Sequence, residues 1–317
     1  MRKDLLGVDI GSKEIKLVTK DKFVISETPD NCVEGDELIA FDGMADLLKN
    51  LVKENGIKTK NACIVLPDSL VYIDRIKIPY MNTKQLEVNL PYEFKDVVGK
   101  NKDDYIYDYA YVNTIYDDND KPVELELVIS CIKKSIIEKY LDMFKKAGMR
   151  LVKAMPRQVA ISNMLINNNI LDNIALVDIG YNFTRIDFFK DGLYDVTRIL
   201  ENGIKDMNKM ASDKFFCDSH ISLRYLKDNK DDILNSELFN NFYDDLALKI
   251  NRAINYYSYS NQSNTLNNLY LYGGGIHYEQ LNNVLKKELN ITCMDLNALL
   301  DVNMDTFTAS GVIEDVK

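Results

Sequence analysis

The 317-residue chain contains no tryptophan, two histidines (His220 and His277) and five widely spaced cysteines with no Cys-x-x-Cys pair. So few imidazoles and no paired thiols exclude a zinc constellation, and an odd, scattered cysteine set argues against a disulfide framework. The expected compartment is reducing, with most of Cys32, Cys63, Cys131, Cys217 and Cys293 as small core residues. No apolar run approaches the ~18 residues of a membrane span. The opening segment lacks the apolar stretch of a secretory signal, and the acidic closing segment is too short for an amphipathic anchor. These features lead us to expect a cytoplasmic protein that reaches a membrane only through a partner. Positive charge is also short. Lys and Arg number 39 against 49 Asp and Glu, a net charge of −10, so nucleic acid is not expected as the main ligand.

What remains is globular: 46% hydrophobic and 28% charged residues, at a length suited to about two domains. Leu5 to Asp9 reads as a strand, Gly11-Ser12 as a tight turn and Ile15, Leu17 and Val18 as a returning strand. Asp42 is expected to cap a helix closed by Gly56. Ala62–Leu66 reads as a buried strand. From Ser69 the pattern changes to strand, helix, strand, strand, helix, which predicts a compact insert over about 69–150. Within it Asn82 and Gln85 form a capping-box pattern. Pro91 is expected to bend or end that helix, and Gly148 closes the last one. Tyr105, Tyr107, Tyr109 and Tyr111 share one strand face, read as half-buried or as a partner surface. Tyr256, Tyr257 and Tyr259 are expected in the core or at a domain contact.

One pattern occurs twice. Gly7-Val8-Asp9-Ile10-Gly11 and Leu176-Val177-Asp178-Ile179-Gly180 share Asp-Ile-Gly, 169 residues apart, and Lys16 falls opposite Arg185 at the same spacing. A repeat spaced by half the chain suggests two similar domains rather than a solenoid. A turn glycine permits positive φ, and successive N–H groups in such a turn suit a phosphate. Asp9 and Asp178 can hold a hydrated Mg²⁺. Two such hairpins would clamp a triphosphate and its metal. A third element, Leu269–Tyr272 followed by Gly273-Gly274-Gly275-Ile276 and a helix, offers bare backbone to a flat ligand and helix N–H groups to an anion. Neither a Walker A loop nor a Rossmann fingerprint is present.

These motifs resemble the actin-like ATPase superfamily, and within it the PilM family of type IV pilus assembly proteins, related to the FtsA division proteins. The run Leu246–Tyr257 is similar to that family's helix before the adenosine strand. The resemblance implies an α/β, ribonuclease H-like duplicated fold. Domain 1 spans 1–170 with a 1C-type insert at 69–150, and domain 2 spans 171–317 with a variable subdomain at 206–264. It implies ATP and Mg²⁺ bound by Asp9, Gly11, Ser12, Lys13, Lys16, Asp178, Gly180, Tyr181, Asn182, Thr184, Lys227, Gly273, Gly274, Gly275 and Ile276, with Asp9 and Asp178 on the metal through water. Lys227, in Ser222–Lys227, stands where relatives carry an acid-x-x-Lys element, here without the acid. Gln158 is a candidate for orienting an attacking water, its alternative being an exposed helix residue.

The implied function is a cytoplasmic ATP-binding scaffold with slow or absent hydrolysis. It would bind the tail of an inner-membrane PilN-like protein near strand Val71–Ile78, link it to the pilus motor ATPases, and have scope for self-association. An FtsA-like polymerising protein and a small-molecule kinase of the same superfamily are the alternatives. His220 and His277 read as isolated, so no catalytic triad is expected.

Overall fold

The structure is a computed structural model that describes residues 4–261 and 265–315. The end of the 206–264 segment and both extreme termini lie outside the described residues. The chain divides into two compact units: Met1–Asn167 with Leu193–Asp195 and Thr306–Lys317, and Asn168–Gly192 with Val196–Asp305. The C-terminal segment, expected with the second half, packs with the first unit.

The first unit is built on a five-stranded sheet. Strands β1 (Leu6–Ile10), β2 (Glu14–Thr19) and β3 (Lys22–Glu27) form an antiparallel meander. A short hairpin follows, β4 (Val33–Glu34) and β5 (Glu37–Leu38), and then helix α1 (Phe41–Glu54). Strand β6 (Asn61–Leu66) returns parallel beside β1. Its apolar residues Ala62, Ile64 and Leu66 are buried with Leu6, Val8, Ile15 and Leu17. Helix α1 starts from Ala40 with no side-chain cap. Asp42 instead lies inside the first turn and pairs with Lys146, so the expected cap is not made. The helix does close at Gly56, whose φ of +63° ends it.

The insert begins with β7 (Val71–Pro79), followed by α2 (Thr83–Glu93) and α3 (Lys95–Val98). The long strands β8 (Tyr105–Tyr116) and β9 (Pro122–Lys133) complete a sheet of order β7-β9-β8. The Asn82–Gln85 capping box forms, each side chain taking the other's backbone N–H. Pro91 neither breaks nor starts the helix, which ends two residues later. The insert buries its own cluster of Ile78, Leu86, Leu90, Phe94, Leu125, Leu127 and Ile129. Tyr105, Tyr107 and Tyr109 are half-buried against that cluster, whereas Tyr111 is 50% exposed. Helix α4 (Lys134–Lys146), expected as part of the insert, joins the main core instead through Tyr140, Met143 and Phe144. Strand β10 (Arg150–Pro156) then pairs parallel with β6 and leads into α5 (Arg157–Asn167). A second short helix, α10 (Phe307–Gly311), lies so close that a Cβ on Gly311 would sit 2.2 Å from the Ala160 carbonyl oxygen.

The second unit repeats the scheme. Strands β11 (Ile174–Ile179), β12 (Thr184–Lys190) and β13 (Leu193–Leu200) form the antiparallel meander. Beside β11 runs the parallel strand β14 (Asn268–Tyr272), and beyond it β15 (Cys293–Asp295). Helices α6 (Ile204–Phe215), α7 (Ser219–Lys227), α8 (Glu237–Ser260) and α9 (Glu279–Glu288) supply its core partners. Of the three tyrosines near the end of α8, only Tyr257 is buried, its ring stacked 4.0 Å from Phe188. Tyr256 and Tyr259 are 60% and 80% exposed, which corrects their expected burial. Spacing explains it: on a helix only one of three near-consecutive positions faces a given neighbour.

Candidate nucleotide site

The two Asp-Ile-Gly hairpins are the same object. Asp9 pairs with Lys16 and Ile10 with Ile15, while Asp178 pairs with Arg185 and Ile179 with Thr184. The Gly11 N–H donates to the Glu14 carbonyl at 2.9 Å and the Gly180 N–H to the Phe183 carbonyl at 3.0 Å. Neither glycine has positive φ, contrary to expectation. Glycine is favoured by crowding: a Cβ on either would lie 3.0 Å from the carbonyl oxygen that its own N–H engages, tighter than an ordinary van der Waals contact.

Each hairpin has a carbonyl tied down from one side. In the first unit the Thr28 hydroxyl donates to the Gly11 carbonyl at 2.7 Å, and the Thr28 N–H to that of Lys13 at 2.9 Å. In the second, the first amides of α6 do this work: Ile204 N–H to the Gly180 carbonyl at 3.1 Å and Lys205 N–H to the Tyr181 carbonyl at 2.8 Å. In a trans peptide the C=O and the following N–H point oppositely. The amides of Ser12, and of Tyr181 and Asn182, are therefore turned away from these anchors, the orientation an anion-binding turn requires. Thr28 and Gly203 were not singled out in the sequence. Gly203 had a signal: it precedes an apolar-periodic helix and takes its cap from Asp206, its N–H donating to Oδ2 at 2.9 Å. Its Cβ would fall 2.4 Å from the Tyr181 carbonyl oxygen, so only glycine lets α6 approach.

The triple glycine closes on the second hairpin. Gly273 has φ +88°, and a Cβ there would lie 2.3 Å from Asp178 Oδ1. A Cβ on Gly275 would meet Ile179 at 2.2 Å, whereas one on Gly274 meets only Ile204 at 3.3 Å. Ile276 is buried in the core behind. Asp178, Gly180, Tyr181, Asn182 and the three glycines thus gather at one edge of the second unit. In the first unit Asp9, Gly11, Ser12, Lys13 and Lys16 gather likewise. There Asp9 Oδ2 accepts from the Thr308 hydroxyl of α10, and Lys13 lies 3.9 Å from Asp30.

Other expected site residues stand elsewhere or are spoken for. The Thr184 side chain is fully buried and donates to the Asn202 carbonyl at 2.9 Å. The Tyr181 hydroxyl accepts from Asn208 Nδ2 at 3.1 Å, and Asn208 is also held by Ser219 and Ser222. The tyrosine's bulk therefore packs into its own unit's core. Lys227 is exposed at the end of α7. Gln158 is not an exposed helix residue: it is 1% exposed, and its Nε2 donates to Asp68 Oδ1 at 2.7 Å. Arg157 Nη2 lies 3.5 Å from the other oxygen of Asp68. This polar trio, at the carboxyl ends of β6 and β10, was visible in sequence only as Pro67-Asp68 and Pro156-Arg157-Gln158. His277, read as isolated, pairs with Asp305 at 2.8 Å. Among the described residues no group of three or more His, Cys, Asp or Glu is arranged to hold a metal ion directly.

Three solved structures are similar over nearly all of this chain. The chain of a PilM-PilN type IV pilus biogenesis complex superposes with a TM-score of 0.82 at 16% identity, covering 99% of this chain and 98% of that one. The ethanolamine utilization protein EutJ from Carboxydothermus hydrogenoformans gives 0.63 at 14% identity, over 97% and 88%. An archaeal actin homolog, Ta0583, gives 0.53 at 13% identity, over 98% of both chains. The fold is therefore the actin-like ATPase fold, as the duplicated hairpins and meanders require. The family model described as type IV pilus assembly protein PilM matches residues 7–313, which takes in both hairpins, the insert and the triple glycine, and the chain belongs to that family.

Proposed function

We propose that this chain is an ATP-binding scaffold of a type IV pilus assembly machine. It holds the cytoplasmic tail of an inner-membrane PilN-like protein and links that protein to the pilus motor ATPases. The observation that carries the partner is the likeness, at a TM-score of 0.82, to a chain solved in a PilM-PilN complex, together with the family match. The insert of β7, α2, α3, β8 and β9 is the docking module, with Val71–Ile78 and its neighbours as the groove. No helix among the described residues is long and apolar enough to cross a membrane. Membrane contact therefore runs through the partner.

The nucleotide is Mg·ATP. The residues fit it: two backbone turns with outward amides, a glycine loop that admits no side chain against Asp178, and cations at Lys13, Lys16 and Arg185. The amides of Tyr181, Asn182 and Gly274 and the Asp178 carboxylate would serve it in the second unit. Asp9, Ser12, Lys13 and Lys16 would serve it in the first. When bound, Mg²⁺ neutralises charge on the phosphate oxygens. Hydrolysis is slow or absent, because Gln158 is held by Asp68 inside the first unit.

Two titrations test this reading. Calorimetry with a synthetic PilN-like tail should give saturable binding that deletion of residues 72–131 abolishes. Thermal denaturation should show a magnesium-dependent rise with ATP, about 2.7 kcal/mol at a hundred times the dissociation constant. Failure of both overturns the proposal. ATP-driven filaments by light scattering would favour an FtsA-like polymer instead, and ATP turnover with a sugar or carboxylate acceptor would favour a kinase.

A further inference from the structure

The insert's sheet has two edges. Its order is β7-β9-β8, so β9 separates the strand proposed for the PilN-like tail from β8, whose far side is unpaired among the described residues. Across β9 the two outer strands stand about 10 Å apart. β8 is twelve residues long. Its first part, Tyr105–Tyr111, pairs with β9 in unbroken register, and a bulge follows between Tyr111 and Asn113. That is about 23 Å of straight edge. Alternate residues of such a strand turn N–H and C=O away from the ladder, which makes the edge a template for another chain.

Natural edges are blunted by lysine, proline or a bulge. Tyr105–Tyr111 contains none of the three. Charge around it has one sign: from Asp103 to Asp120 the sequence holds six Asp and no Lys, Arg or His. Lys102, just before this stretch, is turned to the Tyr92 hydroxyl at 3.0 Å. Asp108, at the middle of the straight part, is exposed, and its Oδ1 accepts from the Tyr109 N–H at 2.9 Å. Tyr105, Tyr107 and Tyr109 lie half-buried against the insert's core. The half-exposed Tyr111 ring meets that of Tyr109 edge-on at 5.5 Å.

We propose that the outer edge of β8 takes an extended cationic segment of a second partner as an added strand. Its main chain pairs with Tyr105–Tyr111, and its Lys or Arg side chains meet Asp108 and the aspartates at either end. In this mode main-chain bonds supply affinity and side-chain contacts choose the sequence. Charge selects a basic partner over another copy of this chain. Two copies joined through β8 would bring together two acidic stretches with no cation between them, and like charges directly opposed are unfavourable. A tyrosine face attracts a cation, so Tyr111 adds to the same preference. The site is separate from the groove at β7 and stands whether or not a PilN-like tail binds there.

The test uses the full chain and a ten-residue synthetic peptide that alternates lysine with valine. Fluorescence anisotropy reads binding, and hydrogen exchange maps it. Saturable binding is expected, weakening as salt rises, with slowed exchange at Tyr105–Tyr111. The same peptide with glutamate for lysine should not bind. The lysine peptide N-methylated at two consecutive central residues keeps its charge but has neither edge intact. It should bind at least about fivefold more weakly, roughly the worth of one lost main-chain hydrogen bond. Asp108→Lys should weaken the lysine peptide by up to about fivefold, the upper range for one exposed charge pair, and leave the melting temperature unchanged. The N-methylated comparison needs no variant and decides by itself if Asp108→Lys does not fold. Equal binding of the glutamate or the N-methylated peptide overturns the assignment. So does slowed exchange at β7 in place of β8, or no binding of the lysine peptide at millimolar concentration. Slowed exchange of β8 at rising protein concentration, with no peptide present, overturns it in favour of a second copy.

Discussion

Gly273 is fitted against Asp178 so closely that a side chain on the glycine would fall 2.3 Å from the carboxylate oxygen. Its φ of +88° is one that residues with a Cβ rarely adopt. Gly273→Ala therefore combines backbone strain with displacement of Asp178. The strain alone costs about 1–3 kcal/mol. We expect a lower melting temperature and loss of the ATP-induced rise. Gly35→Ala, also at positive φ but in open space, should lower the melting point less and keep the rise. Equal behaviour of the two variants in a thermal-shift titration would refute the apposition.

Thr28 acts on the first hairpin at a distance of seventeen residues. Thr28→Val keeps the shape and removes the hydroxyl that engages the Gly11 carbonyl. The Gly11 carbonyl is only partly buried, so losing its donor costs about 1 kcal/mol, the lower end of the penalty for a fully buried group. The expected result is weaker ATP binding by calorimetry, with Thr28→Ser restoring it. An unchanged dissociation constant in Thr28→Val would mean that the turn holds its orientation without the hook.

Arg75, in β7 of the insert, donates from Nε to Glu126 Oε1 at 2.9 Å, with its side chain 5% exposed. Removing one partner of a buried ion pair strands the other charge, at roughly 3–5 kcal/mol. Arg75→Met should thus destabilise the insert strongly, whereas Arg75→Met with Glu126→Met should recover part of the loss, since Asp195, 3.8 Å from the same guanidinium, also loses that cation. Hydrogen exchange over β7 and β9 reads this directly, and no recovery in the double variant would argue against the pairing.

Burial also sets an alkaline limit. The Cys63 and Cys131 thiols are pushed up to about 11 and that of Cys293 to about 12, each chiefly by desolvation, from an ordinary value of 9.0. For an acid whose folded pKa is raised, the unfolded chain ionises first. The stabilising contribution is therefore intact below about pH 9 and is lost as pH climbs from there toward 11–12. Buried Tyr140 and Tyr243 are shifted upward as well, which adds to the trend at higher pH. Urea midpoints should fall between pH 8.5 and 10.5, and the fall should be shallower in Cys293→Ala. An identical slope in that variant would remove Cys293 from the explanation.

Much of the fold was legible because its signals are local. The Asp-Ile-Gly repeat, the Asn82–Gln85 capping box, and the closing glycines Gly56 and Gly148 each depend on a few neighbouring residues. The duplicated hairpins followed from one spacing, and even the register of Lys16 and Arg185 could be read. What escaped depends on contacts between distant segments. Nothing near Thr28 announces that it grips Gly11. Gln158 looked like a helix-surface residue because the acid that draws it inside, Asp68, comes ninety positions earlier. Helix α4 has an amphipathic pattern that fits the insert's core or the main one equally, and only the structure assigns it to the latter. The glycines of the two turns were anticipated for the wrong reason, positive φ, when close approach of a carbonyl is the actual constraint.

The insert leaves and rejoins the main sheet at one point: Val71 is paired directly with Ile132. Both are buried with the first unit's core, while the residues between them hold a core of their own. A segment whose ends meet in this way behaves as a cassette. Beyond that junction, Arg75 of the insert reaches the Tyr194 carbonyl and Asp195. In lineage terms, the insert's surface, the partner-choosing one on the proposed function, is free to diverge quickly, while the two Asp-Ile-Gly turns stay under the steric constraint of their glycines. Orthologues are then expected to differ most between positions 72 and 131, and chimaeras that swap only this stretch should carry partner choice with them.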